Sequence, residues 1–97
     1  MLNSRQRAQL RGMANSLETI FQIGKGGIND NFIKQVTEAL EARELIKVRV
    51  LETAEHTSRT AADFVAERAG ADVVQVIGSR FVIYKKSKDN SKIVLVK

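Results

Sequence analysis

The stretch Ile20-Phe21-Gln22-Ile23-Gly24-Lys25-Gly26-Gly27-Ile28-Asn29-Asp30 constrains the fold most, because it carries an apolar strand through three glycines into the start of a helix. Glycines in that position let the backbone take positive φ and let a ligand come close to the main chain. The helix that follows presents unpaired N–H groups and the positive end of its dipole, and both favour anions. Lys25 adds a positive charge at the loop tip. In outline this is a phosphate-contacting loop, although a purely structural turn would have the same composition.

The rest of the chain reads as scaffold. Ser4 can cap a first helix in which Leu10, Met13, Ala14 and Leu17 form one apolar stripe, with Arg7 and Arg11 one turn apart beside it. Residues 19–23 predict a short strand that the glycines end. Asn29 or Asp30 caps a second helix, marked by Phe32, Ile33, Val36 and Leu40 and running to about residue 44. Glu38, Glu41 and Glu44 fall in its later part, which leaves Lys34 as the cation near its N-terminal end.

Residues 45–51 alternate, with Ile46, Val48 and Val50 on one face and Lys47 and Arg49 on the other, so one face of this strand meets water or an anion. Thr57 or Ser58 caps a third helix, carrying Ala61, Phe64 and Val65 and stopping at Gly70. Residues 73–77 are almost continuously apolar, which suits a central strand, and Gly78-Ser79 supplies a hairpin turn into residues 80–86. Residues 87–97 are a basic tail in which residues 93–96 can pair as an extra edge strand. Strand-helix-strand steps join parallel strands and the hairpin is antiparallel. The expected fold is therefore an α/β single-domain sandwich of order α-β-α-β-α-β-β, a mixed four-stranded sheet packed with three helices.

A chain of 97 residues makes one domain, burying roughly two thirds of the surface it would expose unfolded. Without cysteine it has no disulfide, thiolate metal site or thiol nucleophile. The first residues lack an apolar leader core and no run approaches a membrane span, so a cytoplasmic protein is expected. The net charge of +5 is uneven: residues 1–12 carry +3 from Arg5, Arg7 and Arg11, residues 80–97 carry +5, and residues 26–79 come to −3. If the fold gathers the two ends and the glycine loop, they form a patch for polyanions; otherwise they serve solubility.

Several chemistries lose their residues. The loop is not a Walker A motif, since Lys25 is followed by Gly26, and it is not a full dinucleotide fingerprint, since position 29 is Asn. Gly24-Lys25-Gly26-Gly27 does satisfy Gly-x-x-Gly, the pattern by which KH domains clamp a nucleic-acid backbone. His56, the one histidine, lies in a polar segment with no nucleophile beside it and reads as a solvent-exposed loop residue, not a general base. One histidine with scattered carboxylates gives no metal-ligand spacing. Phe81 and Tyr84, three apart on a strand, fall on opposite faces and form no stacking platform, so Phe81 reads as core.

Taken together, four stretches resemble the CRM (chloroplast RNA splicing and ribosome maturation) family, and within it the bacterial stand-alone YhbY-like RNA-binding proteins. They are Gln6-Arg7-Ala8-Gln9-Leu10-Arg11; Phe21-Gln22-Ile23-Gly24-Lys25-Gly26-Gly27; Glu44-Leu45-Ile46-Lys47-Val48; and Val74-Gln75-Val76-Ile77-Gly78 leading to Val82-Ile83-Tyr84-Lys85. The resemblance makes residues 1–86 a CRM-like RNA-binding domain. It implies a non-enzymatic protein that contacts structured ribosomal RNA and associates with precursors of the large (50S) ribosomal subunit. Gly24, Lys25, Gly26 and Gly27 would then contact RNA, with Arg7, Arg11 and Lys34 extending the positive surface if the first helix packs beside the loop. No cofactor, metal, membrane or small-molecule substrate is implied, and a monomer is expected. Two rivals stay open: a protein-interaction module using an exposed sheet edge at the last strand, and a small nucleotide-binding domain.

Overall fold

The computed structural model describes residues 2–97. Its elements run α1 (Ser4–Ala14), β1 (Thr19–Ile23), α2 (Asp30–Arg43), β2 (Leu45–Val50), α3 (Ser58–Ala69), β3 (Asp72–Ile77) and β4 (Arg80–Tyr84). The order and the single mixed four-stranded sheet are those expected. Caps fix the boundaries. Asn3, one residue ahead of the expected Ser4, caps α1 in a reciprocal box with Gln6. Asn29 caps α2 through the Phe32 amide, Thr57 caps α3, and Gly70 ends α3 in the left-handed conformation.

The sheet order is β1-β2-β4-β3. β1 and β2 are parallel neighbours joined through α2, and β4 is antiparallel to both β2 and β3. This corrects the expectation for residues 73–77: β3 is an edge strand and β4 a central one. The apolar run of β3 reports cover on both faces, not a central position. Val73 and Val76 pack toward α2 and α3, while Val74 packs toward α1 across a register shift.

Two cores result, one on each face of the sheet. On one face Ile23, Ile46, Val48, Val50, Phe81 and Ile83 meet Val36 and Leu40 of α2 and the small residues Ala61, Ala62, Ala66 and Ala69 of α3. Those alanines let α3 lie close to the sheet. On the other face Leu45, Val74, Val82 and Tyr84 meet Leu10 and Ala14 of α1, with Leu2, Leu17, Ile93 and Leu95 closing the rim. Met13, expected in the buried stripe, is 40% exposed and lines an open hollow with Leu17, Leu45 and Ile93. Phe81 is core, as its position predicted.

The tail adds no strand. Side chains hold it instead. Gln9 accepts from the Val96 amide and donates to the Val94 carbonyl, and Gln6 donates to the Val96 carbonyl, so α1 supplies the polar partners a strand would have needed. At the end of α2, the Glu44 carboxylate accepts from the amides of Ser87, Lys92 and Ile93, and Glu41 accepts from the Ser87 hydroxyl and the amides of Lys88 and Asp89. Glu44 is fully buried and takes φ 66°, a left-handed conformation that costs a non-glycine residue strain. Its side chain is thereby turned into the loop that it organises.

Candidate nucleic-acid interface

β1 ends at Ile23, whose carbonyl accepts from the Leu51 amide, so the glycine loop is laid against the segment that leaves β2. The three glycines have separate causes. A Cβ at Gly24 would come within 3.3 Å of Leu51 Cδ1, a tight contact that Leu51 would have to yield to by a few tenths of an ångström, and Gly27 has φ +73°, which favours glycine outright. Gly26 faces open space and needs no special conformation, which leaves its backbone open to close approach.

The Gly27 amide donates to the Gly24 carbonyl at 3.0 Å and closes a turn around Lys25 and Gly26. That amide is therefore directed inward. The Phe32 amide is taken by the Asn29 side chain. Among the described residues, the amides of Lys25, Gly26, Asp30 and Asn31 have no protein partner. Gly26 and Asn31 line a polar concavity of about 260 Å³ together with Gln22, Gly24, Gly27, Asn29, Phe32 and Gln35, and Lys25 and Asp30 are their chain neighbours. Its lining contains no acid. Lys25 is exposed at the loop and Lys34 in the second turn of α2.

Arg7 and Arg11 lie elsewhere. α1 packs on the opposite face of the sheet from α2 and α3, against β2 and β3. Arg7 lines a hollow of about 400 Å³ with Arg59 and with Val73, Val74 and Gln75 of β3, the edge strand opposite β1. Arg11 is exposed one turn nearer the end of α1 that feeds the start of β1, the end of the sheet remote from the loop. The two termini of the chain do meet, through Gln6 and Gln9, but not at the glycine loop.

Burial opposes ionisation of Glu44, yet the amides of Ile93, Lys92 and Ser87 and the Ser91 side chain outweigh it and hold the carboxyl below its ordinary range. The Ser87 hydroxyl, then the Lys88 and Asp89 amides, lower Glu41 likewise. Both acids are occupied by the tail and do not oppose an anion elsewhere. Sequence reasoning missed this role. The available signal was three acids toward the negative end of the α2 dipole, an unfavourable placement unless other donors answer them. His56 is half-buried, not solvent-exposed as expected, with its ring 5.7 Å from Phe64, over which Arg68 also stacks. No group of His, Asp and Glu among the described residues is arranged to hold a metal. No helix among them is long and apolar enough to cross a membrane.

The profile of the CRS1 / YhbY (CRM) domain matches residues 2–85. A Bacillus subtilis protein named "Probable RNA-binding protein YqeI" is 50% identical over 95 residues, covering 98% of this chain and 99% of that one. A Haemophilus influenzae protein named "RNA-binding protein" is 28% identical over 88 residues, covering 91% of this chain and 89% of that one. These names describe binding and not catalysis. The solution structure of the hypothetical protein SAV1595 from Staphylococcus aureus is similar with a TM-score of 0.82 at 48% identity, covering 99% of this chain and 100% of that one. With a profile spanning nearly all of its length and a relative matched almost end to end, the chain belongs to the CRS1 / YhbY (CRM) domain family.

Proposed function

We propose that this chain binds structured RNA through the Gly24–Gly27 loop and the start of α2, without catalysis. The observation that carries the reading is 50% identity over nearly the full length of a protein named for RNA binding. The geometry supports it: the open amides of Gly26 and Asn31 belong to residues lining one polar concavity, those of Lys25 and Asp30 are next to them in the chain, and Lys25 and Lys34 are exposed on the loop and the second turn of α2. Such contacts position a backbone without reading its bases, so specificity would rest on RNA shape or on neighbouring proteins. Arg7 and Arg11 would touch the same RNA only if it spans the sheet from β1 to β3.

The resemblance to bacterial YhbY-like proteins directs the proposal further, to ribosomal RNA in precursors of the large subunit. The sheet-edge rival loses the strand it invoked, because β4 is paired on both sides and the free edges belong to β1 and β3. Sedimentation of tagged protein from lysate through a sucrose gradient tests the proposal. Wild-type protein should migrate with particles at or just below the large subunit at low salt, and Lys25→Glu should remain near the top. If both stay at the top, the ribosomal reading fails and a protein-interaction role takes its place.

A further inference from the structure

The end of the sheet beside the glycine loop carries a row of side chains that the loop's proposed role does not use. The register sets Gln22 of β1 opposite Arg49 of β2, Arg49 opposite Arg80 of β4, and Arg80 opposite Ile77 of β3. Their neighbours Phe21, Ile23, Val48, Val50, Val76 and Phe81 pack toward α2 and α3, so alternation turns the row to the α1 face. α1 and the tail cover that face only around Leu45, Val74, Val82 and Tyr84. Gln22, Arg49 and Arg80 are left exposed, and Ile77 is 61% exposed.

Two features of the row ask for an anion. Arg49 and Arg80 are direct cross-strand neighbours, and like charges so placed destabilise a sheet. No acid relieves them, because the one ion pair among the described residues is Arg59 with Asp63. Arg80 also reaches across β2, its Nε donating over 3.4 Å to Thr19 Oγ1 at the start of β1, so its guanidinium lies over this open face of the sheet. Gln22 belongs both to the row and to the concavity at the glycine loop, which makes the two surfaces continuous.

We propose that bound RNA continues from the glycine loop across the open end of the sheet, with Arg49 and Arg80 contacting its phosphates and Ile77 supplying an apolar contact at the far edge. This deepens the RNA-binding reading and rests on it. Adjacent strands lie about 4.8 Å apart, so two splayed arginine stems can serve neighbouring phosphates of one strand. With no aromatic in the row, any stacking would fall to the guanidinium planes.

The test is a fluorescence titration of the full chain against a labelled RNA hairpin with a single-stranded extension, over about 50–200 mM salt. Arg49→Gln/Arg80→Gln should bind about tenfold more weakly, with a log–log salt slope shallower by about 2, one per lost phosphate contact. Arg43→Gln/Lys86→Gln removes the same charge from exposed positions at the opposite end of the sheet and should change the slope little. The Arg49/Arg80 variant should melt no lower than wild type, since it relieves a like-charge pair. If Lys25→Glu weakens binding while Arg49→Gln/Arg80→Gln matches the Arg43/Lys86 variant, the sheet path is wrong and the glycine-loop reading survives. Weakening by the arginine pair with Lys25→Glu unaffected would support the sheet contact and remove the loop. If wild type shows no salt-sensitive binding, both readings fall.

Discussion

At its N-terminal end, α2 leaves the amides of Asp30 and Asn31 open beside a glycine turn; at its C-terminal end, the carboxylates of Glu41 and Glu44 are filled by five amides and a hydroxyl of the tail. Both ends are electrostatically demanding. A helix prefers an anion at its first turn and a cation at its last, yet here the acids sit at the wrong end and are answered from within the chain. At the first end Asn29 takes the Phe32 amide and Asp30 is the one acid of the first turn, while the amides of Asp30 and Asn31 keep no protein partner. The contrast separates a site made for the fold from one left for a ligand.

The sharpest way to break that contrast is Glu44→Gln, which keeps the shape and removes the charge that three buried or half-buried amides share. It should lower stability by about 3 kcal/mol in urea unfolding. Hydrogen exchange should quicken at Ser87, Lys92 and Ile93 and not at the start of α2. Unchanged protection of the tail would mean that Glu44 does not organise it.

Acid supplies the same perturbation by titration. Glu41 and Glu44 are both held below their ordinary values, so the folded chain binds fewer protons than the unfolded one as pH falls. Their contribution is complete above the unfolded glutamate pKa of about 4.3 and disappears as pH drops through the lowered folded values. Tyr84, the only tyrosine, borders the tail at Ser91 and Ile93, so its fluorescence should report release in that window. Glu44→Gln should flatten this acid limb; an unaltered limb would assign it to other carboxylates.

The smallest effects divide the glycines at the other end. Gly27→Ala forces a side chain into φ +73° and should cost about 1 kcal/mol in thermal unfolding. Gly26→Ala meets no atom within 4 Å and should leave stability unchanged while weakening RNA binding. Equal stability losses in the two variants would make the loop a purely structural turn.

Periodicity and capping made the elements legible, because Asn29 and Thr57 start α2 and α3 and Gly70 ends α3 in the role those residues take by their own chemistry; the Asn3 cap of α1 lay one residue ahead of Ser4, and Glu44 at the end of α2 gave no such signal. Strand order was less legible. The apolar run at residues 73–77 is covered on both faces at Val73, Val74 and Val76 and open at Ile77, and an edge strand under α1 and α3 satisfies that as well as a central one would. The glycine loop could be read because its spacing is local. The position of Arg7 and the row formed by Gln22, Arg49 and Arg80 could not, since each depends on which strands become neighbours. Glu44 was hidden for the same reason, its partners lying more than forty residues away in sequence.

The measurement that bears most directly on the claim is an amide NMR titration of the isotope-labelled chain with an unlabelled hairpin from large-subunit ribosomal RNA. The amides of Lys25, Gly26, Asp30 and Asn31 should shift first and furthest, with those of Ser87, Lys92 and Ile93 unmoved. Shifts concentrated on the tail or on α1, with the glycine loop silent, would contradict it.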